Sequence, residues 1–203
     1  MQRLIIGLAG RKQSGKDTVC KLLGEMFPHL GVRRIAFADA LKEEVAVACG
    51  VSRQEIDEQK DRYRMILQWW GTEFRRHDDE DYWVRQAHKR MLVHGDADLL
   101  VITDARFPNE LEFVHESGGE AFWIERPGDT FDAHTSEHSI NPHDCLATIK
   151  NTGTLFDLQT ALKDTFLMND TAFQLWRQLN ELNDSKAQAA HAGAEARPAI
   201  VPA

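Results

Sequence analysis

Leu4-Ile-Ile-Gly-Leu-Ala-Gly10-Arg-Lys-Gln-Ser-Gly-Lys16-Asp-Thr-Val-Cys20-Lys-Leu-Leu23 decides the fold of this 203-residue chain. Leu4 to Ala9 is an apolar run without polar alternation, as a central parallel strand covered on both faces requires. Gly10 and Gly15 let the backbone curl so that successive N–H groups converge on an anion. Val19, Leu22, Leu23 and Met26 then recur at helical spacing, and Pro28 closes the helix. That helix points the positive end of its dipole into the loop. Lys16 adds a cation where β- and γ-phosphates need one. A G-x-x-x-x-G-K spacing between a buried strand and an amphipathic helix predicts a P-loop, and with it ATP as ligand.

Lys12, Ser14, Asp17 and Thr18 complete the candidate nucleotide site. Asp17 stands where a Ser or Thr commonly holds Mg²⁺. Two readings stay open: Asp17 approaches the metal while Thr18 bonds an inner phosphate, or Asp17 simply favours the helix N-terminus. Asp17 in place of that hydroxyl turns the loop away from switch GTPases and toward small-molecule and nucleotide kinases, and the chain has no Asn-Lys-x-Asp sequence to read guanine either.

Working outward, Val32–Phe37, Leu99–Thr103, Ala121–Glu125 and Ala147–Lys150 read as further strands. Asp39 is placed to cap a helix with a stripe of Leu41, Val45 and Ala48, ended by Gly50. Residues 51–60 are polar, a short helix or loop. Helices follow over Asp61–Arg76 and Asp79–His94, then from Pro108 to about Ser117, from Thr154, and over Thr171–Leu182. Alternating strands and helices predict an α/β fold of the three-layer P-loop NTPase type. Its five-stranded parallel sheet carries helices on both faces. Residues 1–184 form the expected domain, with a helical insertion over 38–94 for a second substrate and a lid-like loop over 126–145. The Ala-rich tail 185–203 is expected to be disordered.

Twenty-four basic against 32 acidic residues, a net charge of −8, exclude a general nucleic-acid-coating role. Cys20, Cys49 and Cys145 lie far apart without a C-x-x-C pair, which fits a reducing cytoplasm rather than a disulfide framework. No run approaches the roughly 20 apolar residues that span a bilayer. The expected setting is therefore the cytoplasm, the host's if a phage encodes the chain.

Asp104 and Arg106 directly follow the third strand, at the sheet end where open parallel sheets bind ligands. Asp104 is read toward Mg²⁺ and Arg106 toward a phosphate, against the alternative of a pair that satisfies itself or caps a helix. Lys42 is read either as an acceptor-phosphate ligand or as a solvated helix lysine. At about 100° per residue, Trp69 points away from the stripe of Tyr63, Ile66, Leu67, Trp70 and Phe74, alongside Arg62, Met65 and Arg76. That face is a base-stacking surface or a second packed side of the helix. Arg75 and Arg76 answer either to the helix dipole or to phosphate. Arg126, after the fourth strand, is placed to swing onto a transferring phosphoryl group. His134, His138, His143 and Cys145 match no standard zinc spacing and read as lid residues.

Gly10–Thr18, Leu67-Gln-Trp-Trp-Gly-Thr-Glu73, Asp81-Tyr-Trp-Val84, Thr103-Asp-Ala-Arg106 and Arg126-Pro-Gly128 run in order along the chain, followed by His134-Thr-Ser-Glu137 and Ile149-Lys-Asn-Thr-Gly-Thr-Leu155. Together they resemble the phage deoxynucleoside monophosphate kinases from about residue 3 to residue 165. The resemblance implies transfer of the γ-phosphoryl of ATP to a deoxynucleoside 5′-monophosphate with Mg²⁺. It places Lys42, Trp69, Arg75, Arg76 and Arg106 on the acceptor side, with Asp39 beside them. Arg126 would act from the lid, and Asn151 and Gly153 would lie near the adenine. The family includes homodimers. Two rival functions remain: a kinase of another phosphorylated metabolite, of the dephospho-coenzyme A or phosphomevalonate type, and a non-catalytic ATP-binding regulator.

Overall fold

Period-two alternation divides every central strand between two cores. In β1 (Leu4–Ala9), Ile6 and Leu8 face one core while Ile5 and Ala9 face the other. In β3 (Leu99–Ala105), Leu99 and Val101 oppose Leu100 and Ile102. In β4 (Glu120–Glu125), Phe122 and Ile124 oppose Ala121 and Trp123. A sheet apolar on both faces must be covered on both, which yields three layers. The computed structural model describes residues 3–128 and 139–195.

The sheet has the order β2-β3-β1-β4-β5, with β2 at Val32–Ile35 and β5 at Ala147–Lys150, and all pairs are parallel. Leu4 pairs with Leu99, Val32 with Leu99, Ile6 with Glu120 and Phe122 with Ala147. The helix α1 (Lys16–Met26) packs in the core of Leu8 and Phe122, together with α7 (Leu155–Met168) and α8 (Asp170–Glu195). The opposite core receives α2 (Phe37–Cys49), α5 (Tyr82–Val93) and α6 (Pro108–Glu116). A Cβ on Gly7 would lie 2.9 Å from Val114, so a side chain there would push α6 off β1. The chain leaves β1 toward one core and β3 toward the other, and the crevice between their carboxyl ends is the topological switch point.

Between α2 and α5 lie α3 (Arg53–Glu58), α4 (Lys60–Gln68) and a π-helical segment, Trp69–Arg76. The single helix expected over Asp61–Arg76 therefore changes pitch at Trp69. β2 is also shorter than the strand expected over Val32–Phe37, because Phe37 already opens α2. Its exposed Arg33 and Arg34 are tolerated at a sheet edge.

The expectation of a disordered tail fails through residue 195, since α8 continues past Leu182. Alanine is the strongest helix former. The helix is also tied to the body: Lys186 Nζ donates to Asp98 Oδ2 at 2.6 Å, and Asn183 Oδ1 accepts from His29 N at 3.0 Å. Trp176 packs edge-on against Phe27 at 5.2 Å. Residues 196–203 and half of the lid, 129–138 with His134 and His138, lie outside the described residues. No helix among the described residues is long and apolar enough to cross a membrane.

Candidate active site

The loop between β1 and α1 owes its shape to two glycines in left-handed backbone, Gly10 at φ +131° and Gly15 at φ +108°. A Cβ on Gly10 would lie 2.4 Å from the Ile124 carbonyl oxygen, and one on Gly15 would lie 2.5 Å from Asn151 Nδ2. No other residue type fits either place without moving backbone or Asn151. Gln13 also sits at φ +63°, a conformation that costs a non-glycine residue about 1 kcal/mol or more. The loop closes around Lys16, whose Nζ donates to the carbonyl oxygens of Gly10 (2.7 Å) and Arg11 (2.6 Å) and to Ser14 Oγ (3.3 Å). Lys16 and Ser14 are buried, whereas Lys12 and Thr18 are partly exposed.

Asn151, after β5, donates its side-chain amide to Ser14 O at 2.8 Å in a buried contact. The resemblance placed this residue near adenine; the structure makes it the brace of the phosphate loop. Gly153 lies against Asp157, whose carboxylate accepts from Thr154 N at 2.7 Å and starts α7. Arg126 follows β4 and reaches back over the loop, its Nη1 3.5 Å from Gln13 O.

Asp104 takes the capping role expected of Asp39. Asp104 accepts from Phe37 N and Ala38 N, both at 2.9 Å, and so satisfies the first amides of α2. Burial raises its carboxyl above the ordinary range, against the pull of those amides and of Arg106 and Arg34. The expectation of a metal ligand at Asp104 thus meets a carboxylate with both oxygens already engaged. Asp39 makes no cap to α2. It is held between Arg34 Nη1 (3.0 Å) and Arg53 Nη2 (3.1 Å).

That pairing belongs to a longer alternating chain. Arg34 Nε also donates to Asp17 Oδ1 at 2.8 Å, Arg53 Nη2 also meets Asp57 Oδ2 at 3.2 Å, and Lys42 Nζ meets Asp57 Oδ1 at 2.7 Å. Asp17, Arg34, Asp39, Arg53, Asp57 and Lys42 therefore link the first turn of α1 to α2 and α3. Burial opposes ionisation of Asp17, but the hydrogen bond and charge of Arg34 outweigh it and hold the carboxyl below its usual range. At Asp57 the contacts with Lys42 outweigh burial in the same sense.

The π pitch also resets the face of Trp69. A residue now meets the one five places on, so Trp69 stacks on Phe74 with ring centroids 5.4 Å apart and planes 1° from parallel. Trp69 is 52% exposed. Arg75 lies over the rings of Phe74 (5.1 Å) and Tyr82 (4.6 Å), and its Nε donates to Glu44 Oε2 at 2.9 Å. Glu44 also accepts from Trp70 Nε1 at 2.9 Å and from the Tyr82 hydroxyl.

Arg76 departs furthest from its expected setting. It is buried against Glu110, lies over the Phe107 ring at 3.8 Å and donates to Asn109 Oδ1 at 3.2 Å. Glu110 Oε2 accepts from Arg106 N at 2.7 Å, so the same carboxylate fixes the backbone that carries Arg106. Burial pushes the Glu110 carboxyl up to about 7, with Arg76 pulling the other way. Arg76 therefore anchors the insertion to α6 and does not present its guanidinium to an acceptor.

Arg34, Glu44, Arg53, Asp57 and Glu110 escaped the reading of the sequence. Glu110 alone carried a local signal, an acidic residue at the third position of a helix opened by Pro108. No group of three or more His, Cys, Asp or Glu able to hold a metal ion occurs among the described residues.

A family model described as phosphomevalonate kinase matches residues 8–120. A protein of Acanthamoeba polyphaga mimivirus, named provisionally as a deoxynucleotide monophosphate kinase, is 34% identical over 171 residues, 70% of this chain and 86% of its own. The chain belongs to the P-loop kinase family that these two matches define, the deoxynucleotide monophosphate and phosphomevalonate kinases. A second viral protein, ORF76 of Ictalurid herpesvirus 1 (strain Auburn), is 28% identical to the kinase over 170 residues, 80% of this chain and 67% of its own. Among solved structures, TT1252 from Thermus thermophilus superposes with a TM-score of 0.50 at 17% identity. It covers 83% of this chain and 98% of that one, a likeness of fold alone. The kinase is an ATP-dependent phosphotransferase.

Proposed function

We propose that the kinase moves the γ-phosphoryl group of ATP onto the phosphate of a deoxynucleoside 5′-monophosphate, releasing a deoxynucleoside diphosphate and ADP. The observation that carries this reading is Trp69. A half-exposed indole locked parallel to Phe74, beside Arg75 on the insertion, is a flat platform for an aromatic base. An aliphatic acceptor would have no use for it.

In the proposed transfer, an acceptor phosphate oxygen attacks the γ-phosphorus and the bond to the β–γ bridging oxygen breaks, leaving ADP. The attacking group is already anionic, so no strong general base is required. Positioning and charge neutralisation carry the step. The loop amides and Lys16 hold the donor phosphates, Lys16 exchanging its carbonyl partners for them. Arg126 and Arg106 approach the transferring group from the ends of β4 and β3. Lys42, Asp39 and Arg75 border the acceptor. Mg²⁺ fits Asp17, an exposed carboxylate on the first turn of α1, better than Asp104 with its two engaged oxygens. There it would share the donor's phosphate charge, with most of its shell left to water and phosphate.

The match to the phosphomevalonate kinase model supports a second reading, in which the acceptor is an aliphatic phosphate monoester. Coupled ADP release with ATP and Mg²⁺ against deoxynucleoside monophosphates, ribonucleoside monophosphates, dephospho-coenzyme A and phosphomevalonate decides between them. Stimulation by at least one deoxynucleoside monophosphate is expected. Stimulation by phosphomevalonate alone replaces the first reading with the second.

A further inference from the structure

Arg53 is an arginine with donors to spare in a place that already concentrates positive charge. Its two carboxylate partners, Asp39 and Asp57, both meet the same nitrogen, Nη2. Its Nε is buried and has no hydrogen-bond partner among the described residues. An unpaired buried donor costs about 1–3 kcal/mol, so its persistence calls for a reason. Asp57 is the partner of both Arg53 and Lys42. Lys60 stands close by. Its ammonium is held below the usual lysine range, first by the charge of Lys42 and then by burial, while Asp57 and Asp17 pull the other way.

The charge sum leaves one cation over. Lys42, Arg53, Lys60 and Arg34 stand against Asp57, Asp39 and Asp17, four positive charges to three negative, and Asp57 alone answers both Lys42 and Arg53 Nη2. A carboxylate offers two oxygens in a plane. A phosphate monoester offers three in a tetrahedron, carries up to two charges, and can take a guanidinium through Nε and Nη together. It would satisfy the orphan donor and still reach Lys42. The place also lies toward the donor loop, because the chain through Asp39 and Arg34 ends on Asp17.

We propose that the Asp57 carboxylate holds the place of the acceptor's phosphate, and that Arg53, with Lys42, is a ligand of that phosphate when it displaces Asp57. This rests on the reading above only in that the acceptor is a phosphate monoester; it is independent of the base. Asp57 is then an internal competitor. Removing its charge strengthens acceptor binding, whereas removing Arg53 weakens it. A purely structural role for the Arg53–Asp57 contact predicts loss from both changes.

The test measures binding of methyl phosphate by ³¹P NMR titration to the full chain, with the P-loop filled by β,γ-methylene-ATP. Wild type, Asp57→Asn, Arg53→Gln and Arg53→Lys are compared, and the melting temperature of each is recorded. Binding by wild type, severalfold tighter binding by Asp57→Asn and at least about tenfold weaker binding by Arg53→Gln are expected, with Arg53→Lys between. A gain of affinity in Asp57→Asn cannot come from damage to the fold. Equal affinities, weaker binding by Asp57→Asn, or no binding by wild type overturns the proposal. The panel of acceptors judges the deoxynucleotide reading separately: if no deoxynucleoside monophosphate is turned over but the methyl phosphate series holds, that reading fails while Arg53 and Asp57 keep their roles.

Discussion

The donor loop and the helical insertion hold their cations by different means. Between Gly10 and Lys16 the charge falls on backbone N–H groups and one buried ammonium, fixed by glycine conformations that no other residue can adopt. In the insertion the cations are long side chains already engaged with carboxylates, Lys42 with Asp57 and Arg75 with Glu44. The loop is preorganised, and binding there exchanges carbonyl partners for phosphate at little cost in reorganisation. On the acceptor role proposed for it, the insertion must break ion pairs before it can bind. A site of the first kind tolerates almost no substitution, and one of the second can be retuned a pair at a time.

The largest effect is therefore expected in the loop. Lys16→Ala should lower kcat by about a thousandfold, the scale of losing one preorganised charge stabiliser, with the circular dichroism spectrum unchanged. Steady-state ADP release checks it. Activity within tenfold of wild type would place the donor phosphates elsewhere and remove the contrast between the two regions.

The same contrast explains what could be read before the structure. All five strands, α1 and the Thr154 start of α7 follow from period, spacing and capping residues, which act over a few positions. What the sequence did not disclose is which remote partner each site residue meets. Asp104 serves amides 66 and 67 residues away, Arg76 meets Glu110 across 34, and Arg75 meets Glu44 across 31. No local pattern marks which of several acidic residues an arginine will find. The surroundings of Trp69 were hidden for another reason. The helical wheel assumes a constant pitch, and the π segment gives Trp69 a partner at Phe74 that an α-helical wheel puts on another face.

The Arg76–Glu110 pair, which roots the insertion in the body, should give the next largest effect, on stability rather than rate. Arg76→Ala leaves the buried Glu110 uncompensated and should cost about 3–5 kcal/mol in urea unfolding. The pair also has a pH signature. The folded Glu110 carboxyl, pushed up to about 7, keeps its proton where the unfolded one, at an ordinary 4.5, has lost it. Between those values the folded state binds more protons, so stability falls as pH rises through the window. Glu110→Gln should flatten that slope between pH 5 and 7. An unchanged slope assigns it to other groups.

The smallest effect sharpens the comparison most, because it separates base from phosphate on the acceptor side. Stacking of a base on an aromatic ring contributes about 1–3 kcal/mol. Trp69→Ala should therefore raise KM for the deoxynucleotide about tenfold, while KM for ATP stays at the wild-type value. Trp69→Phe retains a flat ring over Phe74 and should recover most of the loss. Melting temperature is a control, since Trp69 is half exposed and meets the rings of Phe74 and Trp70. An acceptor KM indifferent to both changes would leave the indole as surface packing, and the choice of acceptor would then rest with the cations around Asp57 alone.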